Sequence, residues 1–363
     1  MYAAIIRLSF FLMTASPIVY AQKLSKSSTV KLRLPEHCGF FYDGVQVLDW
    51  NRKVTVALLY REIRMICLFN LENGEIVQCL KYDAEGPDGV GYEISGFWVE
   101  SPDEIYLYSY WEFTLFKVNA NGKVLNKWKL PIEKTNLPII ELGTSTPLLK
   151  FDNDLIMSGS VFSIAGDPVK NPIVHLDITT GNIRCTGLVP LDMQKNYYSL
   201  GSILHYDYAE DKNYFIVDFG ASDSVYLMRG NLFYANLAES KYIDHIPSLC
   251  PIPCNKTITK EMTLRQSAVG GYLGVRYDEY NQCYYRFVAG PKEIEAIKGG
   301  DLMRKQSVLV LDLNLRTKQE IDLPYGSIAE LAFVTKFGLM VPNITPYQYE
   351  SDDYLYFDVY NFR

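Results

Sequence analysis

The 363-residue chain predicts an all-β fold: a six-bladed β-propeller of four-stranded antiparallel blades, closed by an N-terminal strand supplied to the last blade. Three observations carry this expectation. A strand–turn–strand unit recurs along the chain. Tyrosine (28 residues) and phenylalanine (18), with many Val, Ile and Leu, suit pleated, half-buried strands. Helical periodicity is poor throughout. The repeat takes precedence because a fixed period settles the architecture before local patterns do.

The unit reads "MICLFNLENGEIVQCLKY", "TLFKVNANGKVLNKWKLP", "PIVHLDITTGNIRCTGLVP", "SVYLMRGNLFYANL" and "SVLVLDLNLRTKQEIDLP". Asn73-Gly74, Asn121-Gly122, Thr180-Gly181 and Gly230-Asn231 mark hairpin turns. Two more strands precede each hairpin, as in "ISGFWVES" and "EIYLYSY" around Pro102-Asp103. With Cys67, Leu115, Ile173, Val225, Val308 and Leu355 as equivalent points, the spacings are 48, 58, 52, 83 and 47 residues. A bare blade needs about 40–50, so the excess is inserted loop. The last unit supplies three strands, and "STVKLRLPE" near the front completes it. The best helical segment, Pro291–Lys305, reaches Gly299-Gly300 after two turns, which predicts at most a short helix within an insertion.

Residues 1–21 read as a signal peptide, with Arg7 before an apolar run ending Val19-Tyr20-Ala21. Residues 22–363 then form a single propeller domain. The first cysteine is Cys38, so lipoprotein anchoring is not expected. The chain is expected to be exported, periplasmic or extracellular, and monomeric. A net charge of −7 without a basic block gives no case for nucleic acid, and no segment after the signal is long and apolar enough to cross a bilayer.

Seven cysteines leave at least one unpaired within the chain. A two-residue turn at Asn73-Gly74 puts Cys67 opposite Leu80 and Cys79 opposite Leu68, with the thiols on opposite faces, so a bridge there requires a bulge. Cys250 and Cys254, in a proline-rich loop, form a candidate disulfide.

"YDAEGPDGVGYE", Tyr82–Glu93, joins two predicted strands. Phosphate loops need a helix after the glycines; a strand follows here. The stretch reads as a tight connector whose glycines permit positive φ, with Asp83, Glu85 and Asp88 as a carboxylate-lined surface that suits calcium if any cofactor binds. Ser28-Thr29-Val30-Lys31 matches a Ser-x-x-Lys pair only by letters. His37, His175, His205 and His245 stand apart and read as structural. "FDNDL" at 151–155 and "ESDDY" at 350–354 read as solvated turns, since both lack the calcium-loop pattern.

Three insertions, Ser160–Asn171, Glu239–Ser267 and Val288–Gln306, emerge on the same end of the disc, and the last two belong to neighbouring units. Long loops on a rigid scaffold commonly carry binding. The stretches "YDAEGPDGVG" and "VRYDEYNQCYYRFVAGP" resemble an uncharacterised family of exported TolB-like six-bladed propellers, a domain of unknown function from gut-type anaerobic bacteria. The resemblance implies no catalytic residues. Arg286 is read either as a buried arginine paired with Asp278, the preferred role, or as a ligand contact beside Tyr285. The expected function is therefore a non-catalytic exported binding protein that holds a glycan, a peptide or an envelope partner at one end of the ring. The alternative is a secreted hydrolase or lyase with a site at the central channel mouth, since propellers host both.

Overall fold

The computed structural model describes residues 23–197, 204–230, 232–243, 252–253, 259–301 and 303–363. The signal segment, His245 and the Cys250–Cys254 pair lie outside the described residues.

After β1 (Leu24–Arg33), blade 1 is built from β2 (Gly44–Trp50), β3 (Lys53–Tyr60), β4 (Met65–Asn70) and β5 (Ile76–Lys81). Blade 2 holds β6 (Ile94–Ser101), β7 (Glu104–Ser109), β8 (Thr114–Val118) and β9 (Val124–Lys129). In blade 3 the inner position is shared by β10 (Pro138–Ile140) and β11 (Leu149–Phe151), both paired with β12 (Asp154–Ser163), beyond which lie β13 (Ile173–Asp177) and β14 (Ile183–Thr186). A connector with α1 (Leu191–Lys195) and β15 (Asn196–Tyr197) leads to blade 4, β16 (Leu204–Ala209), β17 (Tyr214–Phe219), β18 (Ser224–Arg229) and β19 (Leu232–Leu237). Next come β20 (Ile252–Pro253) and α2 (Lys260–Val269), then blade 5, in which α3 (Ile294–Lys298) separates β21 (Gly271–Asp278) and β22 (Cys283–Ala289) from β23 (Gln306–Leu311) and β24 (Thr317–Asp322). Blade 6 consists of β25 (Phe333–Thr335), β26 (Gly338–Pro342) and, after α4 (Ile344–Tyr349), β27 (Tyr354–Phe362).

The ring closes as the strand count predicts. β1 pairs antiparallel with β27 from Leu24↔Phe362 to Arg33↔Tyr354, and all six equivalent points fall on the third strand of their blade. Each blade buries both faces against its neighbours, so the middle strands are apolar almost throughout. The core is accordingly a circle of apolar layers between blades. Leu32, Val56, Phe69 and Phe357 fill the layer between blades 6 and 1; Leu59, Ile66, Phe97 and Val99 fill the next. Each fully buried side chain of this kind contributes roughly 1.5–3 kcal/mol.

Three expectations need correction. The blade 1 hairpin is longer than two residues, since Asn70 N–H bonds Glu75 O and Gly74 N–H bonds Asn70 O, and a register shift follows at Leu68/Phe69. That bulge turns Cys79 to face Cys67, and the two form a disulfide with Cα atoms 4.2 Å apart. At the end of the Glu239–Ser267 insertion, read as a loop, α2 forms and runs on to Val269. Thr259 caps it by accepting the Met262 N–H at 3.2 Å, and Gly270, at φ 90°, follows its last residue. Its run of good helix formers lacks an apolar stripe, which is why periodicity missed it. Finally, Arg286 does not pair with Asp278. Asp278 lies opposite Cys283, on the face that Tyr285 shares, and accepts the Tyr285 hydroxyl at 2.7 Å; Arg286 points the other way, to Asp218 of blade 4.

His175 is structural. It lies between blades 3 and 4, its Nε2 2.7 Å from Thr186 Oγ1 and its ring edge-on to Phe215. Burial, and then the nearby Arg184, push the imidazole down to about 4 from 6.5. Between these values the unfolded chain binds the extra proton, so this stability is complete above pH 6.5 and drains away as pH falls toward 4. The loss over that window is expected to reach about 3 kcal/mol. Urea titrations at pH 7.5 and 4.5 check it: His175→Gln should shrink the difference between the two midpoints relative to the parent.

Candidate binding face

In an antiparallel four-stranded blade, the inter-blade connector and the turn between the second and third strands share one end of the ring. The described parts of all three predicted insertions are on this connector face. Residues 164–172 fold back on β12, with Val169 N–H bonding Val161 O. The other two converge: Lys292 N–H donates to Ala268 O at 2.7 Å, joining the blade 5 turn that bears α3 to the end of α2. β15 pairs with β20, Tyr197 opposite Ile252, and so ties the connector leaving blade 3 to the one leaving blade 4. Together these elements form a lip over blades 3 to 5.

The hub is crossed by a strap that was not foreseen. Between β10 and β11 the inner strand of blade 3 breaks out as residues 141–148, tightened by the Gly143↔Thr146 bridge. Blade 4 holds the strap through Tyr206 N–H to Ser145 O at 3.1 Å and the Tyr206 hydroxyl to Pro147 O. Blade 5 holds it through the Arg276 guanidinium to Thr144 O and through Gly274, where a β-carbon would sit 3.0 Å from Ser145 Cβ. On the other side Gly143 approaches Asp43 O of the connector into blade 1.

Ionisable groups surround this strap. Burial pushes Asp207 up, partly countered by Arg276, and its carboxylate accepts the Tyr277 N–H at 2.9 Å. Glu330, on blade 6, touches solvent, yet the protein around it raises its carboxyl. Desolvation likewise raises Glu141 on blade 3. Among the described residues, no group of three or more His, Cys, Asp or Glu side chains is placed to hold a metal.

Around the rim at blades 1 and 2, a second cluster joins four connecting segments. Asp43 Oδ2 accepts Arg61 N–H at 2.9 Å and its Oδ1 lies 3.1 Å from Arg61 Nε. Arg61 Nη1 reaches Glu93 Oε1 at 3.1 Å, and Glu93 Oε2 accepts the Trp111 indole N–H at 2.7 Å. Trp111 is nevertheless 67% exposed, with Tyr92 (61%) and Phe41 (59%) beside the same cluster in sequence. Sequence reasoning missed Trp111, because tryptophan in a strand-rich chain reads as core. The available signal was its position in "YWEF", too short between two strands to be anything but a turn.

The predicted site residues do not come together. Asp83, Glu85 and Asp88 are exposed on the connector between blades 1 and 2. That connector is tight: Gly86 and Gly91 take φ of 97° and 88°, Gly91 N–H bonds Ala84 O, and Asp88 Oδ1 accepts Val124 N–H at 2.9 Å, pinning the loop to β9. Tyr285 and Arg286 are buried within β22, on opposite faces of blade 5.

A closed six-bladed ring with one elaborated end is the class of protein this architecture defines. The chain belongs to the family described as Domain of unknown function (DUF4221), whose profile matches residues 23–321. A member of that family from Bacteroides vulgatus is similar over 95% of this chain and 99% of its own, at 17% identity and a TM-score of 0.78. A Bacteroides fragilis protein whose name assigns it to export is similar over 94% of this chain and 95% of its own, at 14% identity and a TM-score of 0.57. At these identities both establish the fold alone. None of the curated proteins matches the chain. No helix among the described residues is long and apolar enough to cross a membrane.

Proposed function

We propose that the chain is an exported, non-catalytic binding protein that holds a glycan, a peptide or an envelope partner on its connector face. The observation that carries this reading is the asymmetry of the ring: the lip of α1, β15–β20, α2 and α3 and the exposed aromatics Phe41, Tyr92 and Trp111 all belong to that one end. Exposed aromatic side chains on a rigid frame are effective binding anchors. Export is supported by the apolar leader at 8–21 and by the name of the B. fragilis relative. Binding is favoured over hydrolysis because the hub's acids are spread around the ring: Asp207 accepts backbone N–H groups, and Glu141 and Glu330 stand on blades 3 and 6. A pull-down from native envelope extract tests the proposal, comparing the mature chain with a Phe41→Ser/Tyr92→Ser variant. Specific capture that the variant loses supports it; equal capture by both, or none by either, sinks it.

A further inference from the structure

We propose that Trp111 is the stacking platform of a carbohydrate subsite, taking the apolar C–H face of a pyranose ring while Asp43, Arg61 and Glu93 meet its hydroxyls. The inference rests on the binding-face reading above and names the ligand chemistry for it.

A side chain 67% open to water gains little by burial, and fixing it costs rotamer entropy. Trp111 is fixed all the same. Its only polar hydrogen is held by Glu93, Glu93 is held by Arg61, and Arg61 is held by Asp43, so segments from three connections cooperate to orient one indole. Tyr110 packs against it edge-on, with centroids 5.0 Å apart. The turn that presents it also carries strain, since Phe113, a bulky residue, takes φ 44°. Such backbone outliers cost roughly 1–3 kcal/mol and gather at ligand sites.

The chemistry of the surroundings selects the ligand. Asp43, Glu93 and Glu112, whose carboxylate stands against Gly91, are matched by Arg61, by Arg64, whose Nη1 reaches Tyr92 O at 3.5 Å, and by Lys129, whose ammonium donates to Glu112 O at 2.5 Å, so the cluster is charge-balanced. A balanced cluster attracts neither a polyanion nor a polycation. It offers donors and acceptors at fixed positions beside a flat apolar face whose own N–H is already satisfied. A neutral ring with one apolar face and a polyhydroxylated edge uses all of these features at once.

The test follows the indole N–H signals of the 15N-labelled mature protein, which has four tryptophans, during titration with maltohexaose, cellohexaose, xylohexaose and chitohexaose. At least one hexasaccharide is expected to shift the Trp111 signal, assigned by its loss in Trp111→Phe. Trp111→Ala should weaken that binding by at least about tenfold, while Trp111→Tyr keeps a platform and should stay within a few-fold of the parent. Unchanged signals from Trp50, Trp98 and Trp128 establish that the variants are folded. The inference is overturned if none of the four binds at millimolar concentration, if the shift falls on another tryptophan, or if Trp111→Ala binds as well as the parent. None of these results touches the envelope pull-down with the Phe41→Ser/Tyr92→Ser variant, so the failure of the subsite and the failure of the binding face are distinguishable.

Discussion

Replacing Arg286 with methionine is expected to destabilise the propeller by about 3–5 kcal/mol, a large fraction of the roughly 5–15 kcal/mol that holds a domain folded. Arg286 is fully buried. Its guanidinium donates to Asp218 Oδ1 at 3.1 Å from Nε and 2.6 Å from Nη2, to Asp223 O at 3.1 Å and Ala238 O at 2.8 Å, and to Ser222 O. It also lies over the Tyr272 ring, 3.2 Å from the centroid. One side chain of blade 5 thus gathers the second strand, the following turn and the outgoing connector of blade 4. Burial alone would push the Asp218 carboxyl up; Arg286 first, then His205, more than offset this and hold it below its ordinary value. Methionine would leave that carboxylate in the core without its main countercharge, only His205 remaining beside it at 3.8 Å. Equilibrium urea unfolding measures the loss, and Arg286→Met/Asp218→Asn should recover a substantial part of it. A single variant within about 1 kcal/mol of the parent would show that the arginine is not a structural staple.

The second large effect is expected at the ring closure. Without residues 22–33 the chain should not yield a folded monomer. β1 buries Leu24 and Leu32 almost completely, roughly 1.5–3 kcal/mol each, and its removal also strips the ladder from Leu24↔Phe362 to Arg33↔Tyr354. What remains is β27, "YLYFDVYNF", as an unguarded apolar edge, the kind of strand that recruits other chains. Size-exclusion chromatography of the truncated protein should show aggregate, and a synthetic peptide spanning residues 22–36 should restore monomer. A truncated chain that is monomeric and melts with the parent would refute the closure.

Both predictions concern features that the sequence revealed unequally, and the difference has a physical origin. β1 was legible because the last unit is one strand short and "STVKLRLPE" alternates as a strand should. Arg286 was legible as a buried strand arginine but not in its partner, because Asp218 lies on another blade 68 residues earlier and local spacing favours Asp278. The Cys67–Cys79 bridge depended on a single extra residue in β5, which turn chemistry does not announce. The strap escaped because β10 and β11 are three residues each, too short for alternation to register. α3 was foreseen from its Gly299-Gly300 stop; α2 was not, since its faces are alike in polarity. In the site, the elaborated end was legible from loop length, whereas the Asp43–Arg61–Glu93–Trp111 chain was not, because its members meet only once the first two blades stand side by side.

The excursion of blade 3 across the hub has a further effect on traffic. With Ser145 and Thr144 anchored on blades 4 and 5 and Gly143 against the entry to blade 1, the strap spans the axis. An extended chain would have to displace this strap to pass along the axis. If the connector face holds a ligand, that ligand would lie across the mouth, and the rim would set how long it stays.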